Sequence, residues 1–223
     1  MYKLLIANKN YSSWSLRPWV LMKELNIPFE ENLYPFGHSN FLDFSPSGKV
    51  PCLVDGDMVI WDSLAICEYL AESHGDVWPM DKQARAWARS AAAEMHSGFA
   101  FLRNECGMNV GVRVKLNEIS SGLGRDLKRL NEVWNEGLTK FGGPFLAGEK
   151  FSAVDAFFAP VVFRCRTYNL PITGDAANYC GIILTLNSMQ FWEIQALDEA
   201  WRDQDHELEL KLYGDVIDDK RNL

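Results

Sequence analysis

Three short stretches of the chain carry side chains whose types and spacing can do chemistry. The run Tyr11-Ser12-Ser13-Trp14-Ser15 sets four hydroxyls just ahead of an apolar helical pattern. A hydroxyl in such a loop can donate a hydrogen bond to a bound thiolate, and donation to the charged form lowers a thiol's pKa. A free cysteine thiol titrates at about 8.5, so little of it is thiolate at neutral pH. Lowering that by about two units takes roughly 2.7 kcal/mol of differential stabilisation. One charge-assisted hydrogen bond and a helix N-terminus together reach that magnitude. The second stretch, Lys49-Val50-Pro51, leads into a short apolar run, Cys52 to Val54. The third, Asp62-Ser63, opens an amphipathic helix with Leu64, Ile66, Tyr69 and Leu70 at helical spacing. Free N–H groups at such a helix start form a site for a carboxylate.

The elements that must position these residues read in order. Lys3 to Ala7 is a strand, and a helix follows from about Leu16 to Asn26, with Ser15 as its cap and Pro18 in its first turn. Phe29 to Tyr34 is a second strand, and a short helix is expected around Asn40 to Phe44. Cys52–Val54 and Met58–Trp61 form a hairpin about Asp55-Gly56-Asp57, because a D-G pair adopts the tight turn cheaply. A β-α-β crossover followed by β-β-α is the thioredoxin-like arrangement. The break E-S-H-G-D-V-W-P-M, from Glu72 to Met80, marks a domain boundary. Beyond it the pattern is helical: 81–108 as one long segment, 117–141, 152–168, 179–186 and 189–203. Val110 to Val114 is less regular, and the charged last twenty residues read as partly ordered and partly a tail. Ser152 and Asp155 have capping-box spacing at the start of a buried helix.

Composition excludes several functions. The net charge is −8 over 223 residues, which argues against a nucleic-acid partner. Five cysteines, an odd number without C-x-x-C spacing, indicate a reducing compartment rather than a disulfide framework. The N-terminal apolar run is too short for a signal peptide, and no run approaches a membrane span. A cytoplasmic protein without a membrane partner is expected. His74, His96 and His206 are dispersed without metal-ligand spacing, and no metal is expected.

V-P-x-L, then D-G, an apolar strand, D-S and an amphipathic helix together resemble the glutathione-binding core of the glutathione transferase family. The S-x-x-D box within F-L-A-G-E-K-F-S-A-V-D resembles that family's second domain. The run S-S-x-S-x-R of Ser12 to Arg17 is similar to the zeta class, which includes maleylacetoacetate isomerases, although Trp14 stands where those enzymes have cysteine. The resemblance implies an α/β thioredoxin-like domain of residues 1–75 and an all-helical domain of 82–223. It implies that Pro51 is cis, that the Val50 backbone pairs with the cysteinyl part of glutathione, and that Asp62 and Ser63 hold its γ-glutamyl end. Lys49 would reach the glycyl carboxylate, and His38 lies where members often add a contact. Ser12 ranks first as the thiol-activating hydroxyl, Ser13 second and Tyr11 third, with Arg17 structural. Trp14, Phe99, Arg103 and Met108 are candidates to line the second-substrate side, with a core role favoured for Phe99. The function implied is a transferase joining the glutathione thiolate to a small apolar electrophile, or a glutathione-dependent isomerase, working as a homodimer. The alternative is a non-catalytic binding protein on the same fold. A reductase with a cysteine nucleophile is disfavoured, because the Ser12–Ser15 loop has no cysteine.

Overall fold

A largely hydrophobic strand that begins at Tyr2 anchors the first half of the molecule. The computed structural model describes residues 1–222. Strand β1 (Tyr2–Ile6) leads through the polar loop into helix α1 (Ser13–Glu24), which returns to strand β2 (Phe29–Leu33), parallel to β1. A short 3-10 turn at Phe41–Asp43, capped by Asn40, precedes the hairpin of β3 (Cys52–Asp55) and β4 (Met58–Trp61). Helix α2 (Ser63–Ala71) closes the unit, and the sheet order is β2-β1-β3-β4. Leu4 and Ile6 of β1 and Leu53 of β3 are fully buried, with Leu16 and Val20 of α1 and Ile66 and Leu70 of α2 in the same core.

Helices then dominate: α3 (Lys82–Ser97), α4 (Ala100–Glu105), α5 (Ser121–Phe141), α6 (Ala153–Tyr168), α7 (Asp175–Thr185), α8 (Asn187–Asp198) and α9 (Gln204–Tyr213). Between α4 and α5 runs β5 (Val112–Leu116), which pairs antiparallel with β6 (Gly214–Asp219). Helix α6 is buried along nearly its whole length and packs on α1, α3 and α7. Its start is the expected capping box. Asp155 accepts the Ser152 backbone N–H at 3.0 Å, the Leu146 N–H at 2.9 Å and the Tyr179 hydroxyl at 3.2 Å. Burial raises the Asp155 carboxyl to about 6 against those hydrogen bonds.

Several boundaries differ from the sequence reading, each for a physical reason. Helix α1 begins at Ser13, because Asn8 turns the loop by accepting the N–H groups of Tyr11 and Ser12. Ser15 is therefore not the cap; it lies buried inside the helix and accepts the Ala7 N–H at 3.3 Å. Pro18 correspondingly falls beyond the first turn. The single helix read over 81–108 breaks at Gly98-Phe99, where Phe99 takes a left-handed φ of 54°. The helix read from 117 starts at Ser121, where Ser120 accepts the Leu123 N–H. The segment read as a tail is helix α9 and strand β6, and the irregular stretch at 110–114 enters β5, its partner. That two-stranded ribbon joins residues about a hundred positions apart, which local periodicity does not register.

Candidate functional site

The first loop, the turn before β3 and the start of α2 meet at one cleft of about 710 Å³. Eight of the residues singled out by sequence line it: Tyr11, Ser12, Ser13, Lys49, Val50, Pro51, Asp62 and Ser63. The Val50-Pro51 bond is cis. Trp14, Arg103, Met108 and Arg164 line the side contributed by α1, α4 and α6, and Phe36, Phe41 and His206 line another part of the wall. His38, expected at the site, is exposed and is not among the lining residues. The histidine in the cleft is His206. Phe99 is buried in the core, as favoured. No cysteine lines the cleft among the described residues.

Two buried arginines sit behind two of the serines. Arg17 directs a guanidinium N–H at the Ser63 hydroxyl oxygen at 3.4 Å, and Arg164 donates to the Ser13 hydroxyl oxygen at 3.3 Å. A hydroxyl whose oxygen accepts from a cation keeps its own proton for another partner, and that proton is the more polarised. Ser13 and Ser63 are thus donors facing the cleft. Ser12 differs, since its hydroxyl donates to Ser15 Oγ at 2.7 Å. The Tyr11 hydroxyl donates to Glu207 at 2.7 Å, and burial, helped by Glu207, raises its pKa. It is a committed neutral donor.

The floor carries net positive charge. Among the described residues neither Arg17, Arg103 nor Arg164 pairs with a carboxylate. Burial lowers Arg17 to about 9, with Arg103 and Arg164 adding to the effect, and lowers Arg164 to about 10. Both remain cationic at neutral pH. Arg17 stacks on Trp14 at 4.1 Å and on Phe157 at 4.8 Å, and Arg103 lies 5.3 Å from the Trp14 ring centre. The side of the cleft formed by Trp14, Arg103 and Arg164 is therefore a mixed surface, aromatic and cationic together. At the opposite end, Asp62 takes a left-handed φ of 74° and folds its carboxylate onto the N–H groups of Leu64 and Ala65 at 2.8 and 3.4 Å. The start of α2 is thus partly filled by its own acid. What it offers a ligand is the Ser63 hydroxyl beside a carboxylate, which suits a zwitterionic amino-acid group.

Two family profiles match the chain. One, described as the N-terminal domain of glutathione S-transferase, covers residues 11–73, and the other, its C-terminal domain, covers residues 85–204. The chain belongs to the glutathione S-transferase family. Among its relatives, a probable maleylacetoacetate isomerase of Caenorhabditis elegans is 29% identical over 172 residues, covering 72% of this chain and 77% of that protein. Glutathione S-transferase 1 of Dianthus caryophyllus is 30% identical over 161 residues, covering 70% of this chain and 73% of that protein. The structure of a glutathione transferase homologue from Burkholderia with bound glutathione superposes with a TM-score of 0.68 at 22% identity, covering 87% of this chain and 97% of that one. That likeness shows the fold.

In this glutathione S-transferase the cleft is lined by the residues the motifs offered for the first wall and by Trp14, Arg103 and Met108 of those offered for the opposite one. Arg164 and His206 were missed. Arg164 sits within the buried helix after the capping box, where its cationic group in an apolar run was a signal available to the eye. His206 had no such signal, because it reaches the cleft only through the packing of α9.

Proposed function

We propose that the cleft binds glutathione, that it activates the glutathione thiol, and that the protein is a glutathione transferase or glutathione-dependent isomerase acting on a small electrophile. The observation that carries this reading is the pairing of two cleft serines with two buried arginines beside the Val50-Pro51 segment. On this reading the Val50 backbone pairs with the cysteinyl unit. Asp62 and Ser63 take the γ-glutamyl end, and Lys49 takes the glycyl carboxylate. The thiolate lies at the start of α1, with Ser13 as the hydroxyl that donates to it and Ser12 as its support through Ser15. A hydrogen bond to a charged group contributes about 1.5–3 kcal/mol, and a helix N-terminus about 0.3–1 kcal/mol. At the lower end of those ranges they supply about 1.8 kcal/mol of the roughly 2.7 kcal/mol that a shift of two units requires.

The electrophile would rest against Trp14, Met108, Arg103 and Arg164, which line that side of the cleft. The thiolate attacks its electrophilic carbon. A leaving group then departs in a transfer, or the adduct rotates and expels the thiolate in an isomerisation. No metal takes part in this scheme. Among the described residues no group of three or more His, Cys, Asp or Glu side chains could hold one. No helix among them is long and apolar enough to cross a membrane. A division into units of 1–75 and 82–223, a homodimeric assembly and a cytoplasmic location go with the same reading. The test is turnover of chlorodinitrobenzene with glutathione as co-substrate, compared with a thiol of equal reactivity that lacks the γ-glutamyl group. Saturable turnover with glutathione alone is expected. Equal rates with both thiols would remove the assignment of Ser63 and Asp62.

A further inference from the structure

One titratable pair in the cleft has no part in the scheme above. His206 lies within the first turn of α9, and Asp203 caps that helix. Asp203 Oδ2 accepts the His206 backbone N–H at 3.2 Å and lies 2.5 Å from His206 Nδ1. The imidazole stacks on Tyr11, with ring centres 5.1 Å apart and planes 25° off parallel. Phe36 flanks it at 5.2 Å. The helix that carries it is pinned to the first loop. Glu207 accepts the Tyr11 hydroxyl and the Asn109 amide, at 2.7 and 3.1 Å, and is paired with Arg221. His206 also lies beyond residue 204, where the C-terminal profile match ends, so family membership does not supply it.

A carboxylate on Nδ1 holds the imidazole proton there and leaves Nε2 bare. Nε2 has no hydrogen-bond partner among the described residues, and the ring lines the cleft that holds Ser12 and Ser13. This is a base with its orienting acid, lacking only the group that gives it a proton. We propose that His206 is the base that takes the thiol proton of glutathione, with Asp203 as its positioning residue. The inference rests on the glutathione reading of the cleft. The S–H bond breaks and an Nε2–H bond forms. Sulfur keeps the electron pair and, as thiolate, accepts the Ser13 hydroxyl. The Asp203 carboxylate balances the imidazolium. When the leaving group departs as an anion, the imidazolium proton neutralises it directly or through water, and the neutral base returns. The charged groups sharing the cleft with the ring are Lys49, Asp62, Arg103, Arg164 and Glu209, and the Tyr11 hydroxyl is held by Glu207.

The test uses the full chain as wild type, His206→Gln and Asp203→Asn. Each protein is titrated with glutathione, and the thiolate absorbance of each complex is followed from acid to alkaline pH. Turnover of chlorodinitrobenzene is then measured. Glutathione should bind all three proteins within about twofold, which also shows that they fold. At neutral pH the His206→Gln complex should lose most of its thiolate band and regain it only in alkali. Its kcat should fall about a hundredfold, in the range of general-base catalysis. Asp203→Asn should fall between it and the wild type. Free imidazole should restore part of the rate to His206→Ala. A His206→Gln complex with an unaltered thiolate titration and unaltered kcat would overturn the proposal while leaving the glutathione reading in place. A wild type that binds no glutathione would overturn both.

Discussion

Ser13 and Ser12 are neighbours with different bonding, and the difference comes from what each oxygen already touches. Ser13 accepts from Arg164 and keeps its O–H free to donate elsewhere, whereas the Ser12 O–H is engaged as a donor to Ser15. Ser13→Ala should therefore lower kcat by about tenfold to a hundredfold, with glutathione affinity little changed. Ser12→Ala should cost less, and steady-state kinetics on both variants decides the order. Tyr11→Phe should leave the thiolate absorbance intact, since that hydroxyl is bound to Glu207. It should cost about 1–2 kcal/mol of stability, the magnitude of a lost hydrogen bond to a charged group, readable by urea denaturation. The placement of Asp62 and Ser63 at the start of α2 was legible because it rests on neighbours in sequence: Asp62 folds onto the N–H groups two and three residues ahead. The hydrogen bond that distinguishes the two serines was not legible. It depends on Arg164, which reaches Ser13 from another domain.

At the scale of elements, helix α6 carries the longest argument. Its capping box was readable from Ser152 and Asp155 alone, because both partners of the box lie within one turn. The two further bonds to Asp155, from Leu146 and Tyr179, need the folded chain. The Asp155 carboxyl is raised to about 6 by burial, above an unfolded value of about 3.9. Folding therefore takes up a proton there. The resulting stability is complete below the unfolded value and is lost as pH rises through about 6. Asp155→Asn lacks this dependence. The stability gap between wild type and Asp155→Asn should accordingly be about 2 kcal/mol larger at a pH near 4.5 than at pH 7. Denaturant melts of both proteins at the two pH values measure it, and a gap independent of pH would refute it. The start of α1 shows the opposite case. A serine just ahead of an apolar run looks like a cap, yet Ser15 is drawn inward by the Ala7 N–H while Asn8 sets the turn. Side-chain burial decided that boundary, and one sequence holds no direct record of it.

Across the whole molecule, the first loop is the joint between the sheet unit and the helices. Lys9 is buried there, with Nζ bonded to Glu31 of β2 and to Gln195 of α8, and lies 5.7 and 5.4 Å from the ring centres of Trp19 and Trp192. Glu199 accepts the backbone N–H of Lys9 at 2.5 Å, and Lys9 accepts the Trp192 indole N–H at 2.9 Å. Removing one partner of such a pair leaves the other poorly solvated. Lys9→Met should cost about 2 kcal/mol, less than the full penalty for a buried pair because Glu31 is partly exposed, and thermal denaturation reads it. The joint holds the serine loop against α6 and α9, which supply Arg164 and His206. The fold class was legible because strand and helix patterns each repeat locally. The second wall was legible only in part: Trp14, Arg103 and Met108 line it as expected, whereas Arg164 and His206 reach it through the packing of α6 and α9. The most direct test of the account is calorimetric titration of glutathione into the wild type and Ser63→Ala. The account predicts saturable one-site binding to the wild type and at least tenfold weaker binding to Ser63→Ala, the equivalent of about 1.4 kcal/mol. A folded wild type that releases no heat with glutathione, or a Ser63→Ala variant that binds it equally well, would contradict it.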